Sequence, residues 1–172
     1  ADLLYTAVST DTGCFLYGNT DAECLRAAAE LLEYGAENGK LNLYLFRKVS
    51  PARIRLEGLI NSSLEFYRDG TIVVAIVTRE MLQRAGATPD DCDDLANLPG
   101  RARGGILSVL IREGEDGSSR ISLRSSPEVD CSRICAVFGG GGHAMAAGCT
   151  IQAPPTRARD ILLEVVNEVW HV

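Results

Sequence analysis

The chain has 172 residues, 46% of them hydrophobic and 23% charged, the profile of a soluble globular protein of one domain or two small ones, which excludes collagen-like, disordered and disulfide-scaffold classes. The net charge of −6 argues against indiscriminate nucleic-acid binding, and the imbalance sits at one end, since residues 1–39 carry seven acids against Arg26 while the remainder balances. Apolar stretches such as Ile72 to Val77 are too short to cross a bilayer and the start lacks a basic leader, so the six cysteines are expected as free thiols of a cytoplasmic protein.

In chain order, Leu3 to Val8 reads as a strand running into the polar loop Ser9-Thr10-Asp11-Thr12-Gly13, with Cys14 to Tyr17 as a short apolar run beyond it. Thr20 and Glu23 form a capping-box pattern, and Leu25, Ala28, Ala29 and Leu32 recur at helical spacing before Gly35, which predicts a helix over 21–34. From Lys40 to Tyr67 the pattern is helical, broken at Ser50-Pro51 and ended by Asp69-Gly70, with Leu56, Leu59, Ile60, Ser63 and Tyr67 on one face. Thr71 to Thr78 is a β-branched buried strand and Arg79 to Ala85 a short helix. Thr88-Pro89-Asp90-Asp91 opens another helix, because a cap, a first-turn proline and acids all favour a helix start. The acids Asp90, Asp91, Asp93 and Asp94 lack the spacing of a calcium loop. Gly105 to Arg112 and Arg120 to Arg124 are strands of a hairpin turning at Asp116-Gly117, and Asp130 caps a short helix to Phe138. Cys149 to Ala153 is a strand, and the helix from Thr156 turns Ile161, Leu162, Val165, Val166 and Val169 inward.

Three places carry candidate chemistry. Gly139-Gly140-Gly141-Gly142-His143 is a run that composition does not produce by accident. Side-chain-free residues let backbone N–H groups form an anion nest and let a ligand approach the main chain, and His143 adds a donor; the alternative is a tight turn with a chance histidine. Ser122, Arg124 and Ser126 alternate on one side of a strand, as a phosphate-contacting row or as a solvated face. Arginine outnumbers lysine fifteen to two, and guanidinium forks suit phosphate, although a GC-biased genome produces the same skew. Asp11 is a candidate ligand for a hard cation or a loop-capping aspartate. His143 and His171 are the two imidazoles, too few for a multi-ligand centre at Asp11. Cys131 and Cys135, four apart, read as core thiols rather than a zinc pair, having no second close pair beside them.

The segments Leu4-Tyr5-Thr6-Ala7-Val8-Ser9-Thr10-Asp11-Thr12-Gly13-Cys14-Phe15, Ile121-Ser122-Leu123-Arg124-Ser125 and Phe138-Gly139-Gly140-Gly141-Gly142-His143-Ala144-Met145-Ala146-Ala147-Gly148 resemble, in order and spacing across essentially the whole chain, the DHH/DHHA1 superfamily of phosphoesterases. Within it they are most similar to the bacterial oligoribonuclease and pAp-phosphatase branch, also called exopolyphosphatase-like. The resemblance implies an α/β fold: residues 1–39 as the end of a DHH metal lobe (strand plus helix), 40–69 as a helical connector, and 70–172 as a DHHA1 substrate-binding lobe with a mixed sheet flanked by helices.

It further implies that Asp11 corresponds to the last metal-binding aspartate, at once catalytic and metal-ligating. Gly140, Gly141, Gly142 and His143 correspond to the substrate loop, and Arg124 to an arginine on substrate phosphate. The implied cofactor is a divalent metal, Mn2+ in most of the family, activating water against a phosphodiester or phosphomonoester. The Asp-His-His triplet and the earlier aspartate motifs are missing from this sequence. The expectation is therefore a C-terminal fragment that binds short RNA or DNA, or 3′-phosphorylated adenosine nucleotides, but is itself inactive. The competing readings are a nucleic-acid-binding module without catalysis and a nucleotide-sensing domain. Oligomeric state stays open, a homodimer included.

Overall fold

In the computed structural model, which describes residues 1–170 and so leaves His171 outside the description, the segment expected as the first strand is helical: α1 spans Asp2–Asp11. The physical reason lies in backbone hydrogen bonding. No strand exists among residues 1–50, all of them described, so an extended Leu3 to Val8 would leave its N–H and C=O groups without a ladder partner, whereas a helix satisfies them internally. Coiling leaves the run's apolar side chains poorly used: Tyr5 is buried, yet Leu3 and Leu4 are 87% and 64% exposed.

Residues Ala1–Ser50 form one unit. Its second helix, α2 (Ala22–Glu33), starts one residue later than the capping-box pattern suggests, because Asp21 is the cap and its carboxylate accepts from Cys24 N–H at 2.8 Å. A short α3 (Asn38–Asn42) widens into π-type turns over Leu43–Arg47. The unit's core is small: Tyr5, Ala28 and Ala36, with Phe15 tilted against Tyr5 at a centroid distance of 6.1 Å. Asn42 ties the ends of this core together, accepting from Ser9 Oγ at 2.7 Å and donating to Tyr5 Oη at 3.1 Å.

The second unit begins at Pro51. Helix α4 (Pro51–Ser62) opens with that proline, where a missing N–H costs nothing, and buries Leu56 and Ile60. The helix does not continue to Tyr67. Instead β1 (Glu65–Tyr67) pairs antiparallel with β2 (Ile72–Val77), because Arg68, Asp69 and Gly70 all take positive φ and turn the chain back. Tyr67 donates to Glu65 Oε2 at 2.6 Å, and burial followed by that bond pushes its hydroxyl pKa up to about 12.

After β2 come α5 (Arg79–Ala85), capped by Thr78, and a series of single 3-10 turns, the first opened by the Thr88/Asp91 capping box. This connection is what lets β3 (Leu107–Glu113) lie parallel to β2. Strand β4 (Ser119–Ser125) returns antiparallel. Helix α6 (Cys131–Ala136) is capped by Asp130, whose carboxylate accepts from Ser132 and Arg133 N–H. Then follow β5 (Gly141–His143), β6 (Ala146–Ile151) and α7 (Pro155–Val169). The six strands form one mixed sheet in the order β1-β2-β3-β4-β6-β5.

Alternation along the strands divides that sheet into two faces. One carries Ile72, Val74, Leu107, Val109, Ile111, Ile121, Leu123, Ala147 and Ile151, packed under α6 and α7 with Ile134, Leu162 and Val166. Cys131 and Cys135 are buried in this core. The opposite face is covered over β2 and β3 by α4, α5 and the 3-10 turns, through Leu56, Ile60, Ala85, Leu95 and Leu98 against Ala75, Val77 and Leu110. Over β4, β6 and β5 that face stays open, with Arg120, Thr150, Gly141 and His143 exposed.

Candidate functional site

Strand register decides which of the predicted residues meet. Arg124 on β4 and His143 on β5 both lie opposite Ala146 of β6, so they occupy one row and one face, two strand spacings or about 10 Å apart. The residue between them is a small alanine, which leaves space above the row. Arg124 is held by donating from Nη1 to Leu123 O at 2.9 Å, and no carboxylate among the described residues is ion-paired with it. Its remaining donors are available to an anion. Ser122 sits two residues away on the same face, opposite Gly148, itself opposite Gly141. Ser126 follows the end of β4 and lies outside the ladder.

The glycine run is an edge strand rather than a slack loop. Gly140 and Gly142 are demanded by close approach to β6: a Cβ on Gly140 would meet Gly148 O at 2.3 Å, and one on Gly142, whose φ is +145°, would meet Ala146 O at 2.5 Å. Gly141 is different, since a Cβ there would meet nothing within 4 Å. Of the three, it alone has no fold-based reason to be glycine, and it faces the open side beside His143.

Beneath this strand, Cys149 of β6 and Cys135 of α6 share a thiol hydrogen bond. That bond, together with burial, keeps Cys135 protonated far above the ordinary thiol range. Burial likewise raises Cys131. Cys131 and Cys135 are core packing groups whose thiols stay protonated, while the same bond draws the Cys149 thiol down.

Asp11 belongs to the other unit. It closes α1, is exposed, and its Oδ2 accepts from Asn19 Nδ2 at 3.0 Å. Among the described residues no group of three or more His, Cys, Asp or Glu side chains converges on a point. The donor set of the described residues therefore does not fit a two-metal centre: Asp11 offers one carboxylate, already engaged in a local bond, and a hard divalent cation wants several.

Sequence reasoning overlooked Arg112 and Arg120. Both share the open face with Arg124, Arg120 lying opposite Arg112 on one side and Thr150 on the other. The signal was available, because Arg120 has the same parity as Ser122 and Arg124, and Arg112 aligns with it once the hairpin turn at Asp116-Gly117 is placed. No helix among the described residues is long and apolar enough to cross a membrane.

Comparison with known proteins agrees with this architecture. The DHHA1 domain model matches residues 69–171. The chain is 38% identical over 165 residues to the bifunctional oligoribonuclease and PAP phosphatase NrnA of Thermus thermophilus, covering 95% of this chain and 48% of that protein. The protein of the same name from Bacillus subtilis is 28% identical over 151 residues, covering 88% of this chain and 47% of that one. An exopolyphosphatase-related protein from Bacteroides fragilis superposes with a TM-score of 0.86 at 27% identity, over 93% of this chain and 47% of its own. The chain thus spans about half the length of the curated relatives it matches.

Proposed function

We infer function from family and face together: the chain belongs to the DHHA1 domain family, and we propose that it is the substrate-binding part of a phosphoesterase acting on short oligonucleotides and on 3′-phosphorylated adenosine nucleotides. The observation that carries this is the shared row of Arg124 and His143 on an exposed sheet face, beside a glycine with no packing reason to be one. In this reading a substrate phosphate takes a forked hydrogen bond from Arg124 and a single one from the His143 imidazole. Gly141 lets the phosphate come up against the backbone of β5. The relatives named for oligoribonuclease and PAP phosphatase activity support the substrate class.

Hydrolysis is assigned to the longer protein. Asp11 would be one ligand of a divalent-cation centre, Mn2+ by resemblance, for which the described residues of this chain supply no further ligands. We place the chain in the cytoplasm and divide it into the end of a metal lobe, a connector and a substrate lobe.

The test is titration of the 172-residue chain with a fluorescent dinucleotide and with 3′-phosphoadenosine 5′-phosphate at fixed salt, alongside Arg124→Ala and His143→Ala. Saturable binding that weakens in both variants is expected, and binding indifferent to both would refute the assignment. Hydrolysis in the presence of Mn2+ is expected to be negligible, and robust turnover by this chain alone would overturn the claim that its metal site is incomplete.

A further inference from the structure

On the same open face, four residues along β4 from Arg124 and so about 13 Å away, two arginines stand directly opposite each other: Arg112 on β3 and Arg120 on β4. Like charges facing across a ladder repel at a distance of about 5 Å. Neither has an ion pair among the described residues. Arg112 is half-buried against the Cys92 thiol, and its Nε–H is buried without a hydrogen-bond acceptor. A buried guanidinium donor with no acceptor is costly, and one anion seated between the two forks would satisfy it and cancel the repulsion.

A hollow of about 470 Å³ lies there. Arg112 and Arg120 are its charged members, Ser122 and Thr150 bring hydroxyls, and Gly139 and Gly140 form a side-chain-free wall. No acid lines it. The two arginines also border an adjoining hollow that carries Glu113, Glu115 and Asp116. Glu113 accepts from Arg79 N–H and Asp116 from Ser118, and Asp116 also feels the charge of Arg120, but none of the three acids forms an ion pair with either arginine among the described residues.

We propose that Arg112 and Arg120 form a second phosphate subsite, which holds an internal or distal phosphate of an oligonucleotide whose first phosphate sits at Arg124 and His143. The subsite rests on the phosphoester reading above and adds to it a preference for ligands with two spaced phosphates over mononucleotides. Arg120 is exposed and sits at the start of its strand, so its replacement leaves the fold in place.

The experiment compares adenosine 5′-monophosphate with a 5′-phosphorylated adenylate tetramer, binding to wild type, Arg120→Ala and Arg124→Ala. Arg120→Ala is expected to weaken the tetramer by about tenfold to a hundredfold, the worth of a charged hydrogen-bonded contact. It should leave the monophosphate unchanged, which also reports an intact fold, and should flatten the tetramer's salt slope by about 0.7. Arg124→Ala should weaken both ligands. If Arg120→Ala leaves tetramer binding unaltered while Arg124→Ala weakens it, the second subsite is wrong and the primary site stands. If Arg120→Ala weakens both ligands equally, the two arginines belong to one site and the subsite is again refuted. If wild type binds neither ligand, both readings fall.

Discussion

The two faces of the sheet are made from alternate residues of the same strands, yet they follow different rules. On the α6/α7 side the central inward positions, Val74, Val109, Ile111, Ile121, Leu123 and Ala147, are apolar and buried, and each is explained by its neighbours in one core. On the far side of β4, β6 and β5 the residues are Arg120, Ser122, Arg124, Ala146, Gly148, Thr150, Gly141 and His143, and packing explains few of them. Unpaired guanidinium groups and a glycine with open space above it contribute little to stability. What the contrast teaches is that one strand can serve folding with its odd positions and recognition with its even ones. Substitutions on either side should therefore separate the two properties.

The largest effect is expected on the closed face. Leu123→Ala removes a fully buried side chain from the middle of β4 and should cost about 2–5 kcal/mol in urea or thermal unfolding; a loss below 1 kcal/mol, on the order of a surface change, would break the comparison. Next comes the strand joining the faces. Gly142→Ala forces a Cβ against Ala146 O at a φ of +145° and should cost about 1–3 kcal/mol, with hydrogen exchange accelerating in β5 first.

On the open face the signs reverse. Arg124→Ala should shift unfolding by less than about 0.5 kcal/mol while weakening a phosphorylated dinucleotide by about tenfold or more, read by isothermal titration. Gly141→Ala sharpens the point, because the fold has room for the methyl group: an unchanged melting temperature with weaker binding is expected, and equal binding would show that no ligand approaches the backbone there.

The smallest effect belongs to the Asp130 cap, whose carboxyl is held below its ordinary value of 3.8 first by the Ser132 hydroxyl. A depressed carboxylate contributes stability above its unfolded pKa and loses it as pH falls through the folded one. Stability should therefore drop more steeply below about pH 4 in wild type than in Asp130→Asn, as followed by urea midpoints.

Most of the second unit was legible from local chemistry. Thr78 and Asp130 cap the helices their side chains announce, Pro51 opens α4, and the Asp116-Gly117 turn joins β3 to β4. What was not legible depends on partners distant in sequence. Leu3 to Val8 has the composition of a buried strand, but no strand among residues 1–50 offers it a ladder. Glu65–Tyr67 continues a helical pattern and is captured instead by the edge of β2. For the site, Arg124 and His143 were visible singly, as a strand residue and a motif. Their common row was not, because register across β4, β6 and β5 is set by pairing rather than by sequence distance. Arg112 and Arg120, by contrast, were within reach of strand parity and the Asp116-Gly117 hairpin.

We place a phosphorylated nucleotide on the open face of β4, β6 and β5. This placement is tested most directly by following backbone amide and arginine side-chain resonances of the 15N-labelled chain during titration with a 5′-phosphorylated dinucleotide. Saturating shifts are expected to begin at Arg124, Gly141 and His143 and to extend towards Arg120, with α6 and α7 silent. Shifts centred on the α6/α7 side, or none in β5 at saturating ligand, would contradict the placement.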